Sequence, residues 1–152
     1  MYRHGLGTLV CILLLTEGAT TRSAQKDADK TPDKQLEGQW QAIKLFREER
    51  ELPKGNALLP VMTIKGNTYS WKQGKTVRPG TITVDSSKNP KTVDVKITGG
   101  ILKGEMILAV YEVKGDELRW CQSDLGNTER PPGLATKKGT DALLFFFRRV
   151  KP

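Results

Sequence analysis

Residues Thr92 to Thr98 (TVDVKIT) alternate without a break, with Val93, Val95 and Ile97 on one side and Asp94 and Lys96 on the other. A period of two is the mark of a β-strand with one face in a core and the other in water. The pattern recurs. Ile82 and Val84 share a face in TITVD, Tyr69 and Trp71 in NTYSWKQ, and Leu118 and Trp120 in ELRWCQ. Runs 59–65, 104–113 and 142–150 are more continuously apolar, as expected of strands covered on both faces.

Turn residues separate these runs: Gly66-Asn67, Gly74-Lys75, Asn89-Pro90, Gly99-Gly100 and Gly115-Asp116. Glycine and asparagine supply the positive φ of tight hairpins. The spacing predicts about eight strands, near 39–46, 59–65, 68–73, 76–85, 91–98, 104–113, 117–122 and 142–150. Strands joined in sequence by tight turns favour a small up-and-down antiparallel β-barrel, since closure removes exposed edges. Two connections are longer. Residues 47–58 are expected to form a helical turn or a lid, and 123–141, with Pro131-Pro132-Gly133, a loop long enough to suggest a role.

The N-terminus reads as an address. Arg3 and His4 precede the apolar run Thr8 to Thr16, which fits a signal-peptide core and is shorter than the roughly 20 residues a bilayer requires. Residues 1–24 are assigned to a signal peptide, 25–35 to a polar flexible linker and 36–152 to the barrel. Export to the periplasm or medium is expected, with no membrane span in the mature chain. The net charge is +8, and without residues 1–24 there remain 23 basic and 16 acidic residues, or +7. Such an excess attracts anionic lipid or polyanionic polymers, or simply keeps the surface soluble. Export and the lack of a basic helix or interleaved aromatic platform argue against nucleic acid.

The chemistry left open is narrow. The only histidine is His4, in the leader, which removes Ser–His–Asp and Cys–His pairs and the commonest metal ligand from the mature chain. Once Cys11 leaves with the signal, Cys121 stands alone, without a partner for an intramolecular disulfide. In its apolar stretch it reads as a packed thiol. No phosphate loop is present, and no metal, cofactor or catalytic residue is expected. A carboxylate-based hydrolase would need two converging acids with one raised pKa. Glu48, Glu49 and Glu51 alternate with Arg47 and Arg50 as a solvated face does.

The favoured expectation is therefore a non-catalytic binding module. A small apolar or amphipathic ligand would enter the barrel mouth, lined by Tyr69, Trp71, Met106, Leu108, Tyr111 and Trp120. The alternative is a filled barrel that binds an envelope protein or anionic polymer through its outer face and the 123–141 loop.

Several segments carry a family resemblance. Leu36-Glu37-Gly38-Gln39-Trp40, Gly80 to Asp85, Lys88 to Asp94, Tyr111 to Leu118 with Cys121, Arg130-Pro131 and the closing Phe147-Arg148-Arg149 together resemble an uncharacterised lipocalin-like domain family of planctomycete exported proteins. The likeness spans roughly residues 36–150 and departs at Gly133-Leu134-Ala135-Thr136, where an aromatic is expected. It implies a calycin-type barrel and no particular activity. It also implies a closure motif: Gly38 lets the first strand bend, the Trp40 indole plugs the floor, and a last-strand cation, Arg148 or Arg149, stacks on that indole.

Overall fold

The computed structural model describes residues 33–53 and 59–152. The signal-peptide assignment and most of the linker lie outside them. The described chain is all-β and contains no helix. Its strands are β1 (Gly38–Arg47), β2 (Arg50–Glu51), β3 (Val61–Lys65), β4 (Thr68–Gln73), β5 (Thr76–Asp85), β6 (Lys91–Ile97), β7 (Met106–Lys114), β8 (Glu117–Gln122) and β9 (Leu143–Arg149). From β3 onward each strand pairs antiparallel with the next, and β9 returns to β1. Eight strands thus close into an up-and-down barrel, a small lipocalin-like arrangement, and β2 is an extra two-residue strand on the upper part of β1.

The alternation read from the sequence decides which side chains fill the interior. Val93, Val95 and Ile97 of β6, Ile82 and Val84 of β5, and Tyr69 and Trp71 of β4 are all buried there. Strand β1 changes parity midway. Trp40 and Ala42 point inward, and so does Leu45, because the β1–β9 register shifts between Ala42 and Lys44. The extra residue is Ile43, whose bulge bends the strand and turns its own side chain to the outer wall.

Residues 47–58 hold no helical turn among the described residues. Glu48 and Glu49 form a tight hairpin with φ of 49° and 66°, which sends Arg50–Glu51 back along β1. Part of the expected linker has a defined place. Asp33 to Leu36 form a turn across one end of the barrel, called here the floor, closed by a 2.8 Å bond from Leu36 N–H to the Asp33 carbonyl. The opposite end, the rim, carries the β1–β3, β4–β5, β6–β7 and β8–β9 connections.

Candidate functional site

The interior, where a ligand was expected, is occupied by the protein's own rings. Trp71 meets Phe145 edge-on at 5.0 Å and Phe147 at 5.9 Å, and Tyr69 stacks beside Trp71 at 6.4 Å. Tyr111 and Trp120 pack together at 6.4 Å. The Trp120 indole N–H donates to Gln122 Oε1 at 2.8 Å, a bond spanning two residues of one strand face. The Trp71 indole N–H is buried and has no acceptor among the described residues. Of the six proposed lining residues, Tyr69, Trp71, Tyr111 and Trp120 are core side chains. Met106 and Leu108 are not in the interior. Because Ile107, Ala109 and Tyr111 face inward, residues 106 and 108 stand on the outer wall of β7, and Met106 is 40 % exposed.

The floor is closed by Trp40, whose indole N–H donates to the Leu36 carbonyl at 2.9 Å. Of the two candidate cations it is Arg149 that stacks on this ring, at 4.0 Å from the centroid. Its guanidinium also donates to the carbonyls of Glu37 and Gln35. Arg148 takes no part; it points outward toward Glu117, 3.9 Å away. Gly38 does more than permit a bend. A Cβ there would lie 2.8 Å from Arg149 Nη1, and its φ is +125°. Beside this plug, Asp33 Oδ2 accepts from Lys91 Nζ at 2.7 Å and from the Tyr111 hydroxyl at 2.9 Å. Burial pushes the Asp33 carboxyl up, but Lys91, the Gln35 N–H and Tyr111 together hold it below the usual carboxylate range. Burial, and then the bond to Asp33, push the Tyr111 phenol far up.

The second feature is on the outside. Residues 123–142 fold back over β7, β8 and β9 as a packed roof. Val110, Cys121 and Leu144 point away from the interior yet are buried beneath it, with Leu134, Ala142, Phe46 and Phe146 packed around them. Leu134 thus contributes apolar surface in the stretch where an aromatic was expected. This double covering explains why 104–113 and 142–150 read as continuous apolar runs. Arg130 pins the roof: Nη1 donates to the carbonyls of Val93 (3.1 Å) and Ala109 (2.7 Å), and Nη2 to Asp94 Oδ1. Thr136 Oγ1 accepts from the Glu49 N–H at 2.9 Å, tying the roof to the β1–β2 turn. Burial pushes the Cys121 thiol up to about 11, against the opposing effect of a backbone hydrogen bond at Ala135.

Beside the roof the outer wall is left open in a groove of about 480 Å³ across β1, β9, β8 and β7. Its floor is Ile43, Phe46 and Phe146, all partly exposed, with the two rings edge-on at 5.5 Å. Arg119 lies over the Phe146 ring at 5.7 Å. Its Nη1 donates to Glu112 Oε2 at 3.4 Å and its Nη2 to the Leu134 carbonyl at 3.2 Å, while its buried Nε–H has no acceptor among the described residues. The bulge at Ile43 and this underused guanidinium are invisible to an alternation count, and no sequence signal singled them out. The carboxyls with a resolved shift, Asp33 and Asp85, are both lowered; Ser87 side-chain and backbone donors lower the exposed Asp85.

A scan against protein-family models, a search of curated proteins and a search of solved structures each find no match for the chain.

Proposed function

We propose that this chain is an exported, non-catalytic interaction domain, a member of the lipocalin-like family it resembles. On this reading the barrel is a filled support, and the groove over Ile43, Phe46 and Phe146 receives an extended segment of a partner protein. One contrast carries the reading: the interior is packed with the protein's own aromatic rings, while two phenylalanines of the outer wall stay partly exposed in a groove. Exposed apolar surface framed by charge marks docking sites. Lys44, Lys114, Arg148, Glu112 and Glu117 form a polar frame of both signs.

Site-specific photocrosslinking in the native host tests this. A photoreactive phenylalanine analogue at Ile43 or Phe146 should give one discrete adduct, lost on Phe46→Asp, while the same group at Ser70, on the outer face of β4, should give none. Equal adducts from all three positions, or none, would overturn the proposal. A second reading, a small ligand inside the barrel, draws on one observation: the buried Trp71 indole N–H lacks an acceptor among the described residues. A saturable change in tryptophan fluorescence with apolar or amphipathic compounds would favour that reading over the groove.

A further inference from the structure

The rim holds a different surface. Of the four large apolar residues that stand exposed among the described residues, Val77 (52 %), Ile101 (102 %) and Met106 (40 %) are on one side of this end, and Val150 (40 %) follows β9 at the floor. Val77 is at the start of β5, Ile101 at the tip of the β6–β7 connection and Met106 at the start of β7. The β6–β7 connection is held firmly. Thr98 N–H donates to the Pro79 carbonyl at 2.9 Å, Gly104 N–H to the Ile97 carbonyl at 2.9 Å, and Lys103 N–H to the Gly100 carbonyl at 3.2 Å. Leu102 turns down onto the core, so its neighbour Ile101 is thrust outward on an ordered backbone. Gly99 fits closely against Pro79, since a Cβ there would lie 2.9 Å from the proline ring, and this keeps the two connections side by side.

Cations surround these apolar tips. Lys72 is the cross-strand partner of Val77, Lys75 sits in the β4–β5 turn, and Lys103 follows Ile101 by two residues. All three are exposed, and none is in an ion pair with a described residue. Glu105 is the carboxylate on this side. Other carboxylates at this end include Glu48, Glu49 and Glu51 of the β1–β2 hairpin, and Asp124 and Asp141, which sit beside Arg47 of β1.

We propose that this side of the rim docks on the surface of an anionic lipid bilayer, with Ile101 and Val77 entering the headgroup boundary and Lys72, Lys75 and Lys103 meeting lipid phosphates. The shape selects this partner. A single apolar side chain on a convex tip offers a rigid protein little area to cover, but a bilayer closes around it on every side. Long lysine stems reach from such a tip to the phosphate plane with the ammonium still hydrated. Juxtaposed basic and apolar groups give binding that needs both terms, each lysine being worth about five-fold in partitioning. This surface is separate from the Phe46–Phe146 groove, so the two proposals stand or fall independently.

The test is vesicle flotation of the protein as purified from its own host, with phosphatidylcholine vesicles containing or lacking phosphatidylglycerol. Flotation should require phosphatidylglycerol and should fade as salt shortens the reach of the charges. Ile101→Asp should cut partitioning by about ten-fold. Lys72→Glu with Lys103→Glu should abolish it, and Lys65→Glu, at the floor end, should leave it unchanged. Ile101 makes no core contact, so its thermal transition should match wild type and confirm folding. Equal flotation of all variants would overturn the proposal. So would binding that a soluble polyanion competes away completely and that Ile101→Asp does not weaken; that outcome would assign the basic side to a polymer.

Discussion

A methyl group at position 38 would have to displace the Arg149 guanidinium and adopt a φ that L-residues disfavour. Gly38→Ala should therefore cost about 2–4 kcal/mol, read as a fall in the thermal midpoint. Arg149→Lys keeps the charge and loses the flat stack on Trp40 together with paired donation to the Gln35 and Glu37 carbonyls, for about 1–2 kcal/mol. Asp33 carries a pH signature. Its folded carboxyl titrates below the ordinary value of 3.8, so it binds fewer protons folded than unfolded in that range. The stability it contributes is present in full above that value and is lost as pH falls through the lower folded pKa. Asp33→Asn should flatten the acid side of the stability profile below about pH 4 and change its slope little near neutrality, as urea titrations at several pH values would reveal. Cys121, buried and with its thiol raised to about 11, should resist alkylation in the native protein and react only on unfolding. Labelling at native rates typical of a free thiol would contradict the packing described.

Glu48 and Glu49 both take positive φ in the two-residue turn between β1 and β2, where Asn-Gly is the favoured pair. Glu48→Asn with Glu49→Gly should stabilise the barrel by about 1 kcal/mol, raising the thermal midpoint by a few degrees. The strand segments were readable from residues of known period. Val93, Val95 and Ile97, or Tyr69 and Trp71, declare their face by alternation and their ends by glycine or asparagine. What escaped did so for definite reasons. The turn at Glu48-Glu49 uses no turn-forming residue, so β2 left no trace. Ile43 is apolar whether it bulges out or packs in, so the change of parity in β1 was hidden. In β7, Met106, Leu108 and Val110 form an apolar outer row because the roof and rim lie beside it, and a run apolar on both faces does not say which face is the core. Arg130 entered only through the Arg130-Pro131 pair of the family resemblance, and nothing local to it says that it binds two strand carbonyls. The groove depends on that hidden bulge and on where the roof stops, and both are tertiary facts.

At the level of the whole molecule, β9 is the closing piece. It lies between β8 and β1, and it supplies Phe145 and Phe147 to the ring cluster around Trp71. Removing residues 143–152 would expose the edges of β1 and β8 and empty the middle of the core. The truncated chain should lose its cooperative urea transition altogether, not retain a smaller barrel, and far-UV circular dichroism with tryptophan fluorescence would show both signals collapsing together. The filled interior and the polarised rim belong to this scale too. On the proposed reading, a barrel that uses its hollow for its own rings leaves recognition to the outer wall and the loops.

Because β9 and β1 are neighbours, Arg149 at the end of the barrel's last strand reaches the Gln35 carbonyl, just ahead of its first strand, at 2.8 Å. Structurally the barrel is a ring with no first strand. A short tether joining Pro152 to Asp33 should permit circular permutation, with new termini cut at the exposed Gly66-Asn67 or Gly115-Asp116 turns. Both turns lie at the floor; a cut at Gly66-Asn67 would keep the groove and the rim intact, whereas one at Gly115-Asp116 falls between Lys114 and Glu117 of the groove's frame. A chain fused directly before Asp33, after Pro152 or at the permuted ends would leave from the floor, clear of the rim.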